Sequence, residues 1–121
     1  LSQKDIDYLH ISLGDYRQTS VRDKTDKEPI VSKIVNTING RVPLIGAGSI
    51  INNDDIKDAL HLGYSLVALG MITISDKDAV LKLKNNEEPS RKISEDSLLP
   101  TPLFERIKKW KGIEDKGFYV K

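Results

Sequence analysis

Three short apolar segments along the chain have the pattern of β-strands. Residues 8–13 (YLHISL) alternate polar and apolar side chains, which predicts a strand with one apolar face. Residues 43–45 and 65–69 (SLVAL) are nearly continuous apolar runs, as expected for strands that are buried on both faces of a parallel sheet. Pro43 is acceptable because it stands at the first position of its strand.

Four other segments have apolar residues at helical spacing, bounded by capping residues. Ile30, Ile34 and Ile38 form the clearest stripe. The predicted helices run from Pro29 to Gly40, from Asn53 as the N-cap to Gly63, from a capping box of Ser75 and Asp78 to about Asn85, and from Pro102 to the residues before Gly112. The remaining segments, residues 14–28 and 85–100, are polar and irregular.

The alternation of these elements predicts an α/β fold with a parallel sheet and covering helices. Residues 1–86 hold three βα units, and residues 87–121 hold an irregular segment and a C-terminal helix. Three parallel strands leave two unprotected edges. Since a (β/α)8 TIM barrel uses roughly 250 residues, or about 31 for each unit, we expect the C-terminal portion of such a barrel, about strands six to eight. The alternative is a small open α/β domain that is complete in itself.

Composition excludes several classes of function. The 121 residues include 19 basic and 18 acidic side chains, interleaved, so neither a nucleic-acid-binding stripe nor attraction to a membrane surface is expected. The chain has no cysteine and two histidines, and no metal-ligand spacing is present. A cytoplasmic protein without a metal site is the expectation.

Glycine-rich segments follow the second and third predicted strands. The first is Gly46-Ala47-Gly48-Ser49, and the second is Gly70-Met71-Ile72-Thr73, which is also a candidate start of a short helix. By itself the first segment suits either a phosphate cradle or a tight turn between a strand and a helix. In TIM barrels the loops after strands seven and eight, with the start of a short extra helix, often bind phosphate, and glycine lets the backbone come close to it.

Three blocks of sequence together carry a family resemblance. They are YLHISLGDY, RVPLIGAGSI and DDIKDALHLGYSLVALGMITISDKDAV, in this order. The chain resembles the C-terminal third of the old yellow enzyme family, NADH-dependent flavin oxidoreductases built on FMN-binding (β/α)8 barrels. The likeness runs from about Asp5 to Leu83 and is weaker around LLPTPLFERI and GFYVK.

The resemblance implies an FMN-dependent reductase of activated alkenes or similar small-molecule acceptors, with NADH or NADPH as the reductant. It implies that Gly48, Ser49, Gly70 and Met71 hold the FMN phosphate, mostly through main-chain N–H groups, within the loops that also include Gly46 and Ala47. The proton donor and the groups that hold the substrate carbonyl belong to earlier strands of the family's barrel. No catalytic residue is therefore expected in this chain, which alone is expected to be inactive and to bind FMN weakly or not at all.

Two positions depart from the family pattern. Met71 stands where the family commonly has an arginine that contacts phosphate and flavin, and Asp76-Lys77 stands where it commonly has Asn-Pro. A main-chain contact survives the first change, but a bidentate, charge-assisted contact does not. Either a lower affinity for the cofactor or compensation by a lysine elsewhere would follow.

Three polar residues on or beyond the first strand are candidate substrate contacts. His10 shares the polar strand face with Ser12, and Asp15 and Tyr16 follow the strand, at the end where a barrel takes up its substrate. For His10 a structural role as a hydrogen-bonded interior side chain is preferred. His61 lies on a predicted helix and is expected to be exposed.

Two other functions remain open at this stage. One is the phosphate-binding portion of a different TIM-barrel enzyme, such as one acting on a sugar phosphate or nucleotide. The other is a non-catalytic α/β module that self-associates as a homo-oligomer through its exposed sheet edges.

Overall fold

A computed structural model describes residues 4–95 and 99–121. The chain divides into two compact units, Leu1–Leu69 and Gly70–Lys121. The segment that follows Gly70 belongs to the second unit. No helix in the described ranges is long and apolar enough to cross a membrane.

The first unit is a three-stranded parallel sheet with two helices between its strands. Its elements are β1 (Leu9–Ser12), α1 (Ile30–Ile38), β2 (Leu44–Ala47), α2 (Asn53–Leu62) and β3 (Leu66–Ala68). The strands lie in the order β1-β2-β3. Ala47 of β2 pairs with Ser12 on one side and with Ala68 on the other. The predicted parallel α/β arrangement is confirmed.

The core of the first unit lies between the sheet and the two helices. Val31 and Ala59, both fully buried, and Ile38 are its helical members, and Leu44 is its member from the central strand. Val35, Ile56 and Leu62 pack around it while remaining partly exposed. Burial of these side chains is the main favourable contribution to the stability of the unit.

Three boundaries in the first unit differ from the sequence-based prediction. β2 extends to Ala47, because Gly46 pairs with Ile11 and Val67 and continues the ladder. The N-cap of α2 is Asn52, one residue before the predicted Asn53, because the Asn52 side chain accepts the Asp55 N–H. α1 ends at Ile38, and both residues that follow it have positive φ.

The second unit contains three short helices and a two-stranded parallel sheet. Its elements are α3 (Met71–Ser75), α4 (Ala79–Lys84), β4 (Lys92–Ile93), α5 (Thr101–Lys108), a 3₁₀ helix (Glu114–Lys116) and β5 (Tyr119–Val120). β4 pairs with β5. This pairing was not predicted, because neither two-residue strand is long enough to show a period.

The predicted capping box of Ser75 and Asp78 is wrong. Ser75 is the last residue of α3, and its hydroxyl donates to the carbonyls of Ile72 and Ser90. Asp76, buried at 7% exposure, instead accepts the Asp78 N–H at 3.0 Å. The helix predicted from Ser75 therefore begins later, with Asp78 as the N-cap of α4, and Asp76 lies between α3 and α4.

Candidate functional site

Position 48, in the segment between β2 and α2, requires glycine for steric and conformational reasons. Gly48 has a φ of 143°, and a Cβ atom there would lie 2.5 Å from the Leu13 carbonyl oxygen and 3.0 Å from the Tyr16 nitrogen. Ser49 follows with a φ of 52°, which is uncommon for a residue with a side chain. The close approach of the β1–α1 segment thus accounts for Gly48 without any ligand.

Hydrogen bonds hold this segment against the chain that follows β1. The Tyr16 N–H donates to the Gly48 carbonyl at 3.0 Å, and the Ser49 hydroxyl donates to the Gly14 carbonyl at 2.7 Å. The Leu13 N–H donates to the Ala47 carbonyl at 2.9 Å. These contacts use carbonyls and a hydroxyl of residues 47–49, and they fix the backbone of the segment in one conformation. We call residues 48–52 the β2–α2 loop.

Gly46, which the sequence placed in the loop, is a buried strand residue. A Cβ atom at this position would lie 2.2 Å from the ring of Tyr64. Ala47 is also part of the strand. The glycine at position 46 therefore makes room for an aromatic side chain of the core.

Tyr16 is a core residue and does not lie at an open mouth. It is 1% exposed, and its hydroxyl donates to Asp58 Oδ2 at 2.9 Å and to Asp55 Oδ1 at 3.3 Å. Burial, the hydrogen bond to Asp58 and the nearby charge of Asp55 raise the pKa of Tyr16 far above its usual value. The phenol thus stays protonated and acts as a donor. The prediction that Tyr16 is accessible to a substrate is corrected.

The other two candidate substrate contacts are exposed. Asp15 accepts the Arg17 N–H at 2.8 Å, which closes a local turn. His10 is exposed and makes no side-chain hydrogen bond within the described ranges. Its interior role in a whole barrel stays a prediction. His61 is exposed, as predicted.

Side chains cap the start of α2. The Asp55 N–H donates to Asn52 Oδ1 at 2.9 Å, and Asp55 Oδ2 accepts the Ile51 N–H at 3.0 Å. Asp54 adds a second carboxylate in the first turn. The two carboxylates complement the positive end of the helix dipole.

Arg17 lies against the same carboxylates. Its guanidinium is 4.9 Å from the centre of the Tyr16 ring, and single nitrogen atoms lie 3.5 Å from Asp55 Oδ1 and 3.5 Å from Asp58 Oδ2. Its side chain is 58% exposed. We call Tyr16, Arg17, Asp55 and Asp58 the Tyr16 cluster.

Sequence reasoning missed most of this cluster. Asp55 and Asp58 are three residues apart on a helix, so their common face could be read from the sequence. Their contacts with Tyr16 and Arg17 cross about 40 residues of chain, and no local pattern indicates them.

Gly70 and Met71 begin the second unit, where the short helix predicted after Gly70 is confirmed. No side chain caps α3, and its first turn carries no acidic residue. The Thr73 N–H and hydroxyl both donate to the Gly70 carbonyl, at 2.9 and 2.7 Å. A Cβ atom on Gly70 would meet no heavy atom within 4 Å, in contrast to Gly46 and Gly48.

A metal centre is not indicated by the described residues, since no group of three or more His, Asp or Glu side chains among them could hold an ion. No protein-family model matches the chain, and no solved structure matches it.

Three oxidoreductases are similar to the chain over most of its length. The NADH:acrylate oxidoreductase of Vibrio harveyi is 30% identical over 112 residues, which are 87% of this chain and 11% of that protein. The NADH:fumarate oxidoreductase of Klebsiella pneumoniae is 31% identical over 91 residues, 73% of this chain and 10% of that protein. The probable NADH-dependent flavin oxidoreductase YqiG of Bacillus subtilis is 30% identical over 118 residues, 93% of this chain and 32% of that protein.

The resemblance to NADH-dependent flavin oxidoreductases is thereby confirmed. The chain spans about a tenth of the first two relatives and about a third of the third. It corresponds to one portion of each of these enzymes.

Proposed function

We propose that the chain is part of an FMN-dependent oxidoreductase that uses NADH or NADPH to reduce activated alkenes, as in the old yellow enzyme family. The observation that carries this proposal is the sequence identity of 30%, over 93% of the chain, with a probable NADH-dependent flavin oxidoreductase. The chain supplies the end of the enzyme that binds the FMN phosphate, and the catalytic groups lie elsewhere in the enzyme.

The names of two relatives support an activated alkene as the acceptor. Acrylate and fumarate, the acceptors in those names, both have a carbon–carbon double bond conjugated to a carboxylate. Such a bond is electron-poor and accepts hydride at the carbon distant from the carboxylate. A substrate of the same class is therefore expected for this protein.

The strand order supports a portion of a (β/α)8 barrel. β1, β2 and β3 are neighbours in sequence order and are joined by helices, which is the order that a barrel requires. A doubly wound sheet would instead reverse its strand order at a switch point. On this basis β1, β2 and β3 are about strands six, seven and eight of the barrel.

The backbone of the β2–α2 loop suits a phosphate because the Gly48 and Ser49 hydrogen bonds fix it in advance, so little conformational entropy is lost on binding. The resemblance implies that main-chain N–H groups would hold the phosphate. The roles of Gly70 and Met71 rest on the sequence resemblance.

When bound, FMN would accept hydride from the nicotinamide and pass it to the acceptor. Residues of this chain would bind and orient the phosphate end of the cofactor. Fixing one end of the cofactor restricts its movement, which places its reactive part in a defined position.

The test uses the natural protein in its full length. Flavin released by denaturation is identified by chromatography, and the oxidation of NADH and NADPH is followed without oxygen in the presence of acrylate, fumarate or a cyclic enone. Propionate and succinate, which lack the double bond, are the matched control acceptors. We expect FMN and alkene-dependent turnover; absence of flavin, or turnover with no alkene, would refute the proposal.

A further inference from the structure

Two carboxylates lie beside the β2–α2 loop and would repel an anion that binds there. Asp55 Oδ2 accepts the N–H of Ile51, which is only two residues from Ser49. Asp58 lies one helical turn further along α2 and shares the Tyr16 hydroxyl with Asp55. A phosphate at the loop would therefore approach two negative charges, and each like-charge interaction lowers its affinity.

The Tyr16 hydroxyl does not remove this charge. It satisfies carboxylate oxygens by hydrogen bonding but carries no positive charge. Arg17, by contrast, carries a full positive charge and lies 3.5 Å from both carboxylates. Within the described part of the chain, the ion pairs that Asp55 and Asp58 form are those with Arg17.

Two further contacts fix Arg17 to this place. Its guanidinium lies over the Tyr16 ring and makes a cation–π interaction with it. The backbone N–H of Tyr16 donates to the Gly48 carbonyl, so the residue before Arg17 is bonded directly to the loop. Arg17 is thus held close to the loop although its side chain is largely exposed.

We propose that Arg17 strengthens phosphate binding at the β2–α2 loop by neutralising Asp55 and Asp58. The inference rests on the proposed function, and the ligand class is a phosphate monoester such as FMN. Arg17 acts through the two carboxylates and is therefore a positioning residue. Its effect depends on charge and should be absent for the same ligand without its phosphate.

Riboflavin, which is FMN without the phosphate, provides this comparison. Dissociation constants of FMN and riboflavin are measured by flavin fluorescence on the full-length natural protein after removal of its own flavin. For Arg17→Gln we expect FMN affinity to fall roughly three- to tenfold at physiological salt, while riboflavin affinity stays unchanged. The loss should shrink near 1 M salt, where the screening length is about 3 Å.

Two variants serve as controls for the charge. Arg17→Lys keeps the positive charge and should retain most of the FMN affinity. Arg41→Gln removes a charge from the residues that precede β2, at the other end of the strand. The four residues of β2 span roughly 13 Å, which exceeds the screening length of about 8 Å, so FMN affinity should stay unchanged.

A double variant separates neutralisation from direct contact with the phosphate. Asp58→Asn keeps an oxygen that accepts the Tyr16 hydroxyl hydrogen but removes a charge. If Arg17 neutralises Asp58, then Arg17→Gln should cost less FMN affinity in the Asp58→Asn background than in the wild type. An equal cost in both backgrounds would overturn the inference.

The remaining outcomes separate this inference from the proposed function. If wild-type protein binds neither flavin, the proposed function fails and the inference falls with it. If wild-type protein binds FMN and Arg17→Gln weakens both flavins equally, or neither, the proposed function survives and the inference is overturned.

Discussion

The phenol oxygen of Tyr16 lies 2.9 Å from Asp58 Oδ2, although 42 residues of chain separate the two. This contact joins the segment after β1 to helix α2. The backbone of Tyr16 joins the same segment to Gly48. One buried residue thus connects the two segments that follow the carboxyl ends of β1 and β2.

Replacing Tyr16 by phenylalanine tests the energetic importance of this contact. Tyr16→Phe removes the donor to Asp58 and Asp55 and should lower the free energy of unfolding by about 1–2 kcal/mol. Urea-induced unfolding of the natural protein measures it. Tyr8→Phe is the control, since Tyr8 is 57% exposed, and it should change stability by less than about 0.5 kcal/mol. Equal effects of the two changes would contradict the importance of the contact.

Gly46→Ala should be destabilising for a steric reason. The new Cβ atom would lie 2.2 Å from the Tyr64 ring, and the strained core should lose about 1–3 kcal/mol or more. Unfolding curves give the value. In a Tyr64→Leu background the clashing ring is absent, so Gly46→Ala should cost less there. A cost that does not depend on residue 64 would show that the clash is not the cause.

Asp76 should make part of the second unit sensitive to acid. Burial alone would raise the pKa of Asp76, but hydrogen bonds from Lys82, Ser90 and Asp78 outweigh it and lower this pKa below the usual value. Because the folded-state pKa is lowered, the stabilisation is present above a pH of about 4 and is lost as the pH falls through the folded-state pKa.

Hydrogen exchange at the Ser90 amide measures this loss, since that N–H donates to Asp76 Oδ2 at 2.8 Å. Below a pH of about 4 its protection factor should fall. Asp76→Asn should lower it at neutral pH by a factor of roughly ten and remove the pH dependence. The control is Glu87→Gln, which changes an exposed carboxylate near Lys82 and should leave the Ser90 protection factor unchanged. A Ser90 protection factor that stays constant with pH in the wild type would rule out this role of Asp76.

Met71→Arg tests whether the chain lacks a phosphate contact that is common in the old yellow enzyme family, which the chain resembles. Arginine would add charge-assisted hydrogen bonds to the phosphate, and FMN affinity should rise roughly tenfold while riboflavin affinity stays unchanged. Fluorescence titration of the flavin-free, full-length natural protein measures both, with Met71→Leu as the control. No gain with arginine would count against a missing contact at this position.

The sequence by itself determined the order of strands and helices in the first unit, its parallel sheet and the short helix after Gly70. These features depend on local periodicity and on capping residues, which act over a few positions along the chain. The resemblance to flavin oxidoreductases was equally readable, because three ordered blocks carry it.

Only the tertiary structure decided what several of the singled-out residues do. Gly46 and Gly48 read as part of a phosphate loop, yet Tyr64 and the Leu13 carbonyl already require glycine there. Tyr16 read as an exposed residue at a strand end, yet it is buried against two aspartates. These roles arise from contacts between segments about 20 to 40 residues apart. Such contacts form only when the sheet brings its strand ends together, and local sequence patterns do not record them.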